Sequence, residues 1–419
     1  MHRRILGTFA AAGLCLVANS SVLAQRGQPQ AQADPNGPFT VTVVAPTNGT
    51  VKVTPALPPD GHVAKGTVIT LTAAPAAGYA LDSTWYSVPG RFGQMYHEAA
   101  TREFKITVDQ NTRVGASFID EAAVKDLVVT NDVVFAKPGK KTLKYDVYAR
   151  RGARNLPIIV IVHGGGWTAN DEDIMRGLAR ELTKGNRFVV ASLDYRWAGT
   201  ADGDAPGNTM ASLIEDVFGG IAHIMEHATK YGGDATRIGV TGDSAGGHLS
   251  AAVSLMPDMI GSRGFGRTPG VFEFMPSYLP AGKTVDEVRS EMLKAIKAAA
   301  PSYGVFSAAN LNVYSEANAN DQAWKQAIAP LSHIPDAKAR AVPQFLTRGT
   351  RDTLISNAMV TEFTDALVTA GQRVEYIQVG GAGHAFFDWK PDETTKATFA
   401  RYGVYYAAAM RGFFESTLY

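Results

Sequence analysis

Thr241-Gly242-Asp243-Ser244-Ala245-Gly246-Gly247 is the stretch that decides how this chain folds. It has the form Gly-x-Ser-x-Gly. Before it, Arg237-Ile238-Gly239-Val240 reads as a short buried strand; after it, Gly247-His248-Leu249-Ser250-Ala251-Ala252-Val253 opens a helix. A serine on a sharp turn between strand and helix holds its hydroxyl clear of the backbone. Small neighbours permit strained dihedrals and let a substrate come close. The same letters also suit a tight turn without chemistry, so the rest of the chain has to supply a base, an acid and an oxyanion site.

A serine hydroxyl needs a base near neutral pH, and histidine is the side chain poised to serve. Only His248, His333 and His384 follow Ser244. His248 sits one turn into the helix, where packing or a local hydrogen bond suits it better than a turn back to Ser244. His384 lies in Gly380-Gly381-Ala382-Gly383-His384-Ala385-Phe386, a loop just past a strand, where an open α/β sheet gathers its catalytic groups. Of the aspartates between the two, Asp352 alone follows a strand and turn, Leu346 to Leu354; its other reading is an N-cap for the next helix. The order Ser, Asp, His is that of an α/β-hydrolase triad. Upstream, His163-Gly164-Gly165-Gly166-Trp167 follows the apolar run Ile158 to Val162. Its glycines can aim backbone N–H groups at a developing oxyanion, so Gly164, Gly165 and Ala245 are the expected donors. A phosphate loop is the competing reading, but no Gly-Lys-Ser/Thr follows.

Working outward, Leu143 to Tyr148 alternates like an edge strand, whereas Leu156 to Val162 and Phe188 to Leu193 are continuous apolar runs suited to buried parallel strands. Asp171 to Lys184 is a crossover helix, and Met210 to Tyr231 carries an apolar stripe stopped by Gly232-Gly233. The sheet resumes at Val342 to Leu346 and Val374 to Val379, with the helix Asn357 to Ala370 between them. Alternating strands and helices give right-handed crossovers and a mostly parallel sheet. Residues 257–303 break that rhythm and read as an insertion, with a helix from Val285 to Ala300. Placed after the elbow helix, it is suited to roof the site. Trp167, Phe272 and Phe274 are the candidate substrate-lining side chains, with packing of the insertion as the other reading.

The N-terminal third has another character. Phe39 to Val44, Val68 to Thr72 and Phe104 to Val108 alternate polar and apolar residues between Gly and Pro clusters, the mark of a small all-β module over residues 39–120. Trp85, Tyr86 and Tyr96 suit either core packing or stacking on a sugar ring, so carbohydrate contact through the module is one expectation and a passive spacer the other. A spacer predicts that removing the module leaves activity on soluble esters intact. Residues 25–38 are a polar Gln/Pro-rich linker. Residues 1–24 have a basic start, an apolar run too short for a comfortable membrane span, and small residues before Ala24. They predict a signal peptide cleaved after Ala24, a secreted or periplasmic destination and no stable membrane anchor. Cys15, the only cysteine, would leave with it.

With 45% hydrophobic residues, 19% charged and a net charge of +1, no single-sign field recommends nucleic acid as a partner. A small-molecule or polymer-linked ester fits better, and no metal or other cofactor is called for. Together the Gly-x-Ser-x-Gly elbow, His163 to Trp167, Asp352, His384 and Leu193-Asp194-Tyr195-Arg196 resemble the hormone-sensitive-lipase-like and feruloyl-esterase-like carboxylesterases of the α/β-hydrolase superfamily. The resemblance runs from about Asp126 to the end. It implies an α/β-hydrolase domain over 121–419 and a serine esterase, with Asp194, Tyr195 and Arg196 bracing the oxyanion loop. Lys65 to Pro75, Gly78-Tyr79 and Val114 to Phe118 resemble B-repeat modules of internalin-type surface proteins. Arylformamidases resemble the same elbow and His-Gly-Gly-Gly-Trp pattern, which keeps an amide hydrolase open. A non-catalytic extracellular binding protein on a hydrolase scaffold is the reading from another class.

Overall fold

The computed structural model describes residues 37–90, 93–311 and 320–419. The expected leader, its cleavage site and most of the linker lie outside them.

The alternating N-terminal segments form eight strands: β1 Phe39–Val43, β2 Gly49–Thr54, β3 His62–Val63, β4 Thr67–Pro75, β5 Tyr79–Gly90, β6 Gly93–Ala99, β7 Glu103–Val108 and β8 Thr112–Asp120. They make two sheets, of order β3-β1-β8-β5-β6 and β2-β4-β7. Residues at period two on facing strands, among them Val41, Ile69, Leu71, Ile106, Val108 and Val114, bury a common core. Strand β5 pairs with β8 only from Tyr79 to Ser87, whereas its pairing with β6 continues to Gly90↔Gly93. The end of the β5–β6 hairpin therefore projects beyond the sheet that carries it.

The second sheet system follows: β9 Leu127–Ala136, β10 Leu143–Arg150, β11 Leu156–Val162, β12 Val189–Leu193, β13 Gly233–Asp243, β14 Ile296–Ser302, β15 Gln344–Gly349 and β16 Val374–Val379. Their order is β16-β15-β14-β13-β11-β12-β10-β9. Pairing is parallel from β16 through β12, and β9 and β10 are antiparallel additions. Strands covered on both faces need apolar side chains throughout, and every residue from Val189 to Leu193 is buried.

Two expectations need correction. Leu143 to Tyr148 is not an edge: β10 lies between β12 and β9, and β9 is the edge. The helix expected over Val285 to Ala300 ends at Ala295, and Ile296–Ser302 is strand β14, inserted between β13 and β15. Residues 257–303 therefore contribute a central strand as well as a surface excursion. Ala298-Ala299-Ala300 has helix-favouring composition and no period, but these small buried side chains let the helices Ala245–Leu255 and Val404–Leu418 pack close against the strand. Tertiary packing overrides propensity here. Among the described residues no helix is long and apolar enough to cross a membrane.

Candidate active site

Parallel order brings the carboxyl ends of four strands together. Val162 of β11 lies opposite Gly242 of β13, so the glycine loop and the elbow leave the sheet side by side. Gly349 of β15 lies opposite Val379 of β16, which does the same for the loops bearing Asp352 and His384.

Ser244 takes φ 51° and ψ −114°, in the left-handed range that a side chain rarely adopts, and the helix begins at the next residue. The crossing is tight. A Cβ on Gly246 would lie 2.0 Å from the Val162 carbonyl oxygen, and one on Gly242 would lie 2.4 Å from that of Gly246. The Ser244 hydroxyl is 2.9 Å from His384 Nε2, and His384 Nδ1 is 2.8 Å from Asp352 Oδ2. The other Asp352 oxygen accepts the N–H groups of Leu354 and Ile355, each at 2.9 Å. Burial pushes the Asp352 carboxyl up, but the His384 hydrogen bond and these backbone donors outweigh it, so it stays below the usual carboxylate range. The helix after it is capped by Ser356, so Asp352 is no N-cap.

The glycine loop is held from beneath. The His163 ring stacks on Tyr195 at 4.2 Å between centroids, Tyr195 Oη donates to the His163 carbonyl at 2.9 Å, and Asp194 Oδ1 lies 3.2 Å from His163 Nε2. Arg196 instead ties this segment to Asp216. Gly165 and Gly166 line a cavity at Ser244 and His384. Gly165 has φ +117°, and a Cβ there would strike the Ala169 carbonyl oxygen at 2.2 Å. Gly164 stands tightly against Asp243: a Cβ on it would lie 2.5 Å from Asp243 Oδ2.

The expected substrate-lining aromatics also need correction. Trp167 is buried, and its indole N–H donates to His248 Nδ1 at 3.2 Å. His248 Nε2 meets the Ile328 carbonyl at 2.9 Å, so this histidine is a packing element whose pKa burial lowers to about 4. Phe274 is fully buried and stacks on Phe265 at 4.8 Å; Phe272 packs on Phe265 at 5.2 Å. None of the three lines the cavity at Ser244.

Beyond Ser244, His384 and Gly165, its lining was not singled out from sequence. Asp243, Asp388 and Lys390 form one side, and Leu354 and Asn170 flank Ser244. Burial raises the pKa of both Asp243 and Asp388, and the Asp388 carboxylate further opposes ionisation of Asp243. Lys390 Nζ lies 3.5 Å from Asp388. Beneath them Tyr303 packs edge-on to His384 at 4.9 Å. Proximity to the elbow and to His384 along the chain was the available signal for these residues. Another part of the lining had none: it is Gly90, Gly93, Gln94 and Met95, from the β5–β6 hairpin. Residues of the module thus contribute to the cavity, a role that neither expectation for it included.

Two family models match the chain, BD-FAE over residues 145–367 and the divergent InlB B-repeat domain over residues 39–122. Among curated proteins the chain is similar to the carboxylesterase NlhH of Mycobacterium tuberculosis, 36% identical over 121 residues that make up 29% of this chain and 34% of that protein. It is similar to the esterase LipQ of the same organism, 26% identical over 276 residues, 61% of this chain and 57% of that protein. The chain thus spans about a third to just over half the length of these relatives. Among solved structures, the apo form of Thermogutta terrifontis esterase 2 superposes with a TM-score of 0.48 at 23% identity, covering 66% of this chain and 92% of that one.

Proposed function

The chain belongs to the BD-FAE family, and from that premise we propose that it is a serine carboxylic-ester hydrolase working through an acyl-enzyme. The observation that carries the reading is the unbroken hydrogen-bonded series Asp352–His384–Ser244 at the floor of a cavity. In the proposed cycle Ser244 Oγ attacks the ester carbonyl carbon while His384 Nε2 takes the hydroxyl proton. Asp352 holds the imidazole in the tautomer that presents Nε2 and stabilises the imidazolium. The N–H groups of Gly165 and Ala245 receive the oxyanion, each such donor being worth about 3 kcal/mol in the transition state. The tetrahedral intermediate collapses by breaking the bond to the alcohol oxygen, which leaves with the proton from His384. Water then attacks the acyl-enzyme, giving its proton to His384, and the acid departs as Ser244 regains its hydrogen. Gly164, the third expected donor, lies in the same loop as Gly165 and stands close beside Asp243. The leader-like pattern of residues 1–24 supports export before action.

The test compares kcat/KM of the full chain and of Ser244→Ala on p-nitrophenyl acetate. A fall of at least about 10⁴-fold is expected. Hydrolysis by the variant at the wild-type rate would overturn the nucleophile assignment, and cleavage of aryl formamides with none of esters would move the reading to an amide hydrolase.

A further inference from the structure

The N-terminal module is bolted to the hydrolase body at the root of the hairpin that reaches the cavity. Asp82 on β5 has no exposed side-chain surface, and it accepts from Arg176 Nε at 3.0 Å, from Arg180, and from the Trp389 indole N–H at 2.9 Å. Glu98, on the paired strand β6, accepts from the same Arg176 guanidinium. Lys396 Nζ donates to Ser117 of β8 at 2.7 Å. Burial alone would raise the Asp82 carboxyl, but Arg176 and Arg180 hold it well below the usual range. A charge-assisted cluster of this kind, shut off from water, fixes geometry strongly, because each member stripped of its partner is left buried and unpaired.

From that clamp the two strands run on, past the last β8 pairing, to Gly90 and Gly93–Met95. These residues share with Ser244 and His384 the lining of a cavity of about 270 Å³. Trp389, which grips Asp82, lies between the cavity residues Asp388 and Lys390 on the loop that begins at His384. The same short segment therefore serves the site and holds the module.

We infer that the β5–β6 hairpin is a working wall of the substrate cleft and that Met95 sets the size of the group accepted beside Ser244. The substrate class is esters whose acyl group is small. This rests on the esterase reading above. A cavity of this volume, with Met95 in its lining, admits a short acyl chain and turns a long one against the thioether. Hydrophobic pockets discriminate chain length by roughly 10- to 200-fold per methylene-sized misfit, so one wall residue is enough to shift preference.

The experiment measures, in the full chain, the ratio of kcat/KM for p-nitrophenyl octanoate to that for p-nitrophenyl acetate. Met95→Ala is expected to raise the ratio by about tenfold, and Met95→Trp to lower it. Opposite signs from one position do not arise from general loosening. Phe274→Ala, in the aromatic cluster away from the cavity, should leave the ratio where it was. Wild-type activity with a ratio unmoved by both Met95 variants overturns the inference alone. Wild-type protein that leaves every ester intact overturns the premise and the inference with it.

Discussion

Two regions of this molecule compete for the role of roof, and they look nothing alike in sequence. The excursion after the elbow helix is dense in aromatics. From the β5–β6 hairpin, the described residues at the cavity are two glycines, a glutamine and a methionine. Yet Phe265, Phe272 and Phe274 pack on each other and on Trp324, whereas Gly90, Gly93, Gln94 and Met95 line the cavity at Ser244. Aromatic density reports how much surface a segment must hide from water. Where a cleft opens is decided by which element the topology carries to the carboxyl ends of the strands.

The contrast can be broken by substitution, and the largest effect belongs to the hairpin's anchor. Arg176→Met leaves Asp82 and Glu98 buried without their main cation, at a cost of about 5 kcal/mol, the upper end for breaking a buried pair. Urea unfolding of the full chain reads it, and a loss under about 1 kcal/mol would mean that the cluster does not hold the module. Phe274→Ala comes next, at about 4 kcal/mol, because it empties a core site; kcat/KM of the folded variant on p-nitrophenyl acetate should be unchanged.

His248 ties Trp167 of the glycine loop to the Ile328 carbonyl, and its burial makes stability pH-dependent. Its folded pKa is about 4, against about 6.5 when unfolded. The unfolded chain thus takes the proton first, so this contribution is complete above about pH 6.5 and is lost as pH falls toward 4, by about 3 kcal/mol. His248→Gln should lack that component of the slope, which unfolding at pH 7 and pH 4.5 measures. Equal slopes in the two proteins would contradict the assignment. The smallest effect is Phe272→Ala, whose ring is only partly buried: about 1 kcal/mol and no change in acyl preference.

Much of this was legible before any coordinates. Continuous apolar runs marked β11 and β12, because a strand covered on both faces has no polar side to show. Ser244, Asp352 and His384 could be found because each is tied to a local signal: a strand end, a glycine-flanked turn, the right residue type. Strand β14 could not, since Ala298-Ala299-Ala300 has neither the bulk nor the period of a strand and owes its conformation to its neighbours. Gly164 was expected as a donor because a glycine after a strand says that an N–H is accessible; its closeness to Asp243 carried no signal in the sequence. The hairpin wall was invisible for a deeper reason. Met95 shares a cavity with Ser244 across a separation along the chain of well over a hundred residues, and contacts between distant segments, among them the buried pairing of Asp82 and Glu98 with Arg176, bring the two together.

The central claim is that Ser244 is the nucleophile. Its most direct measurement treats the full chain with a p-nitrophenyl alkylphosphonate and locates the adduct by peptide mass spectrometry. The account predicts one phosphonate on the peptide containing Ser244, formed in step with loss of ester hydrolysis, and none on Ser244→Ala. An adduct on another residue that tracks the loss of activity, or full inactivation of a protein whose Ser244 stays unmodified, would contradict it.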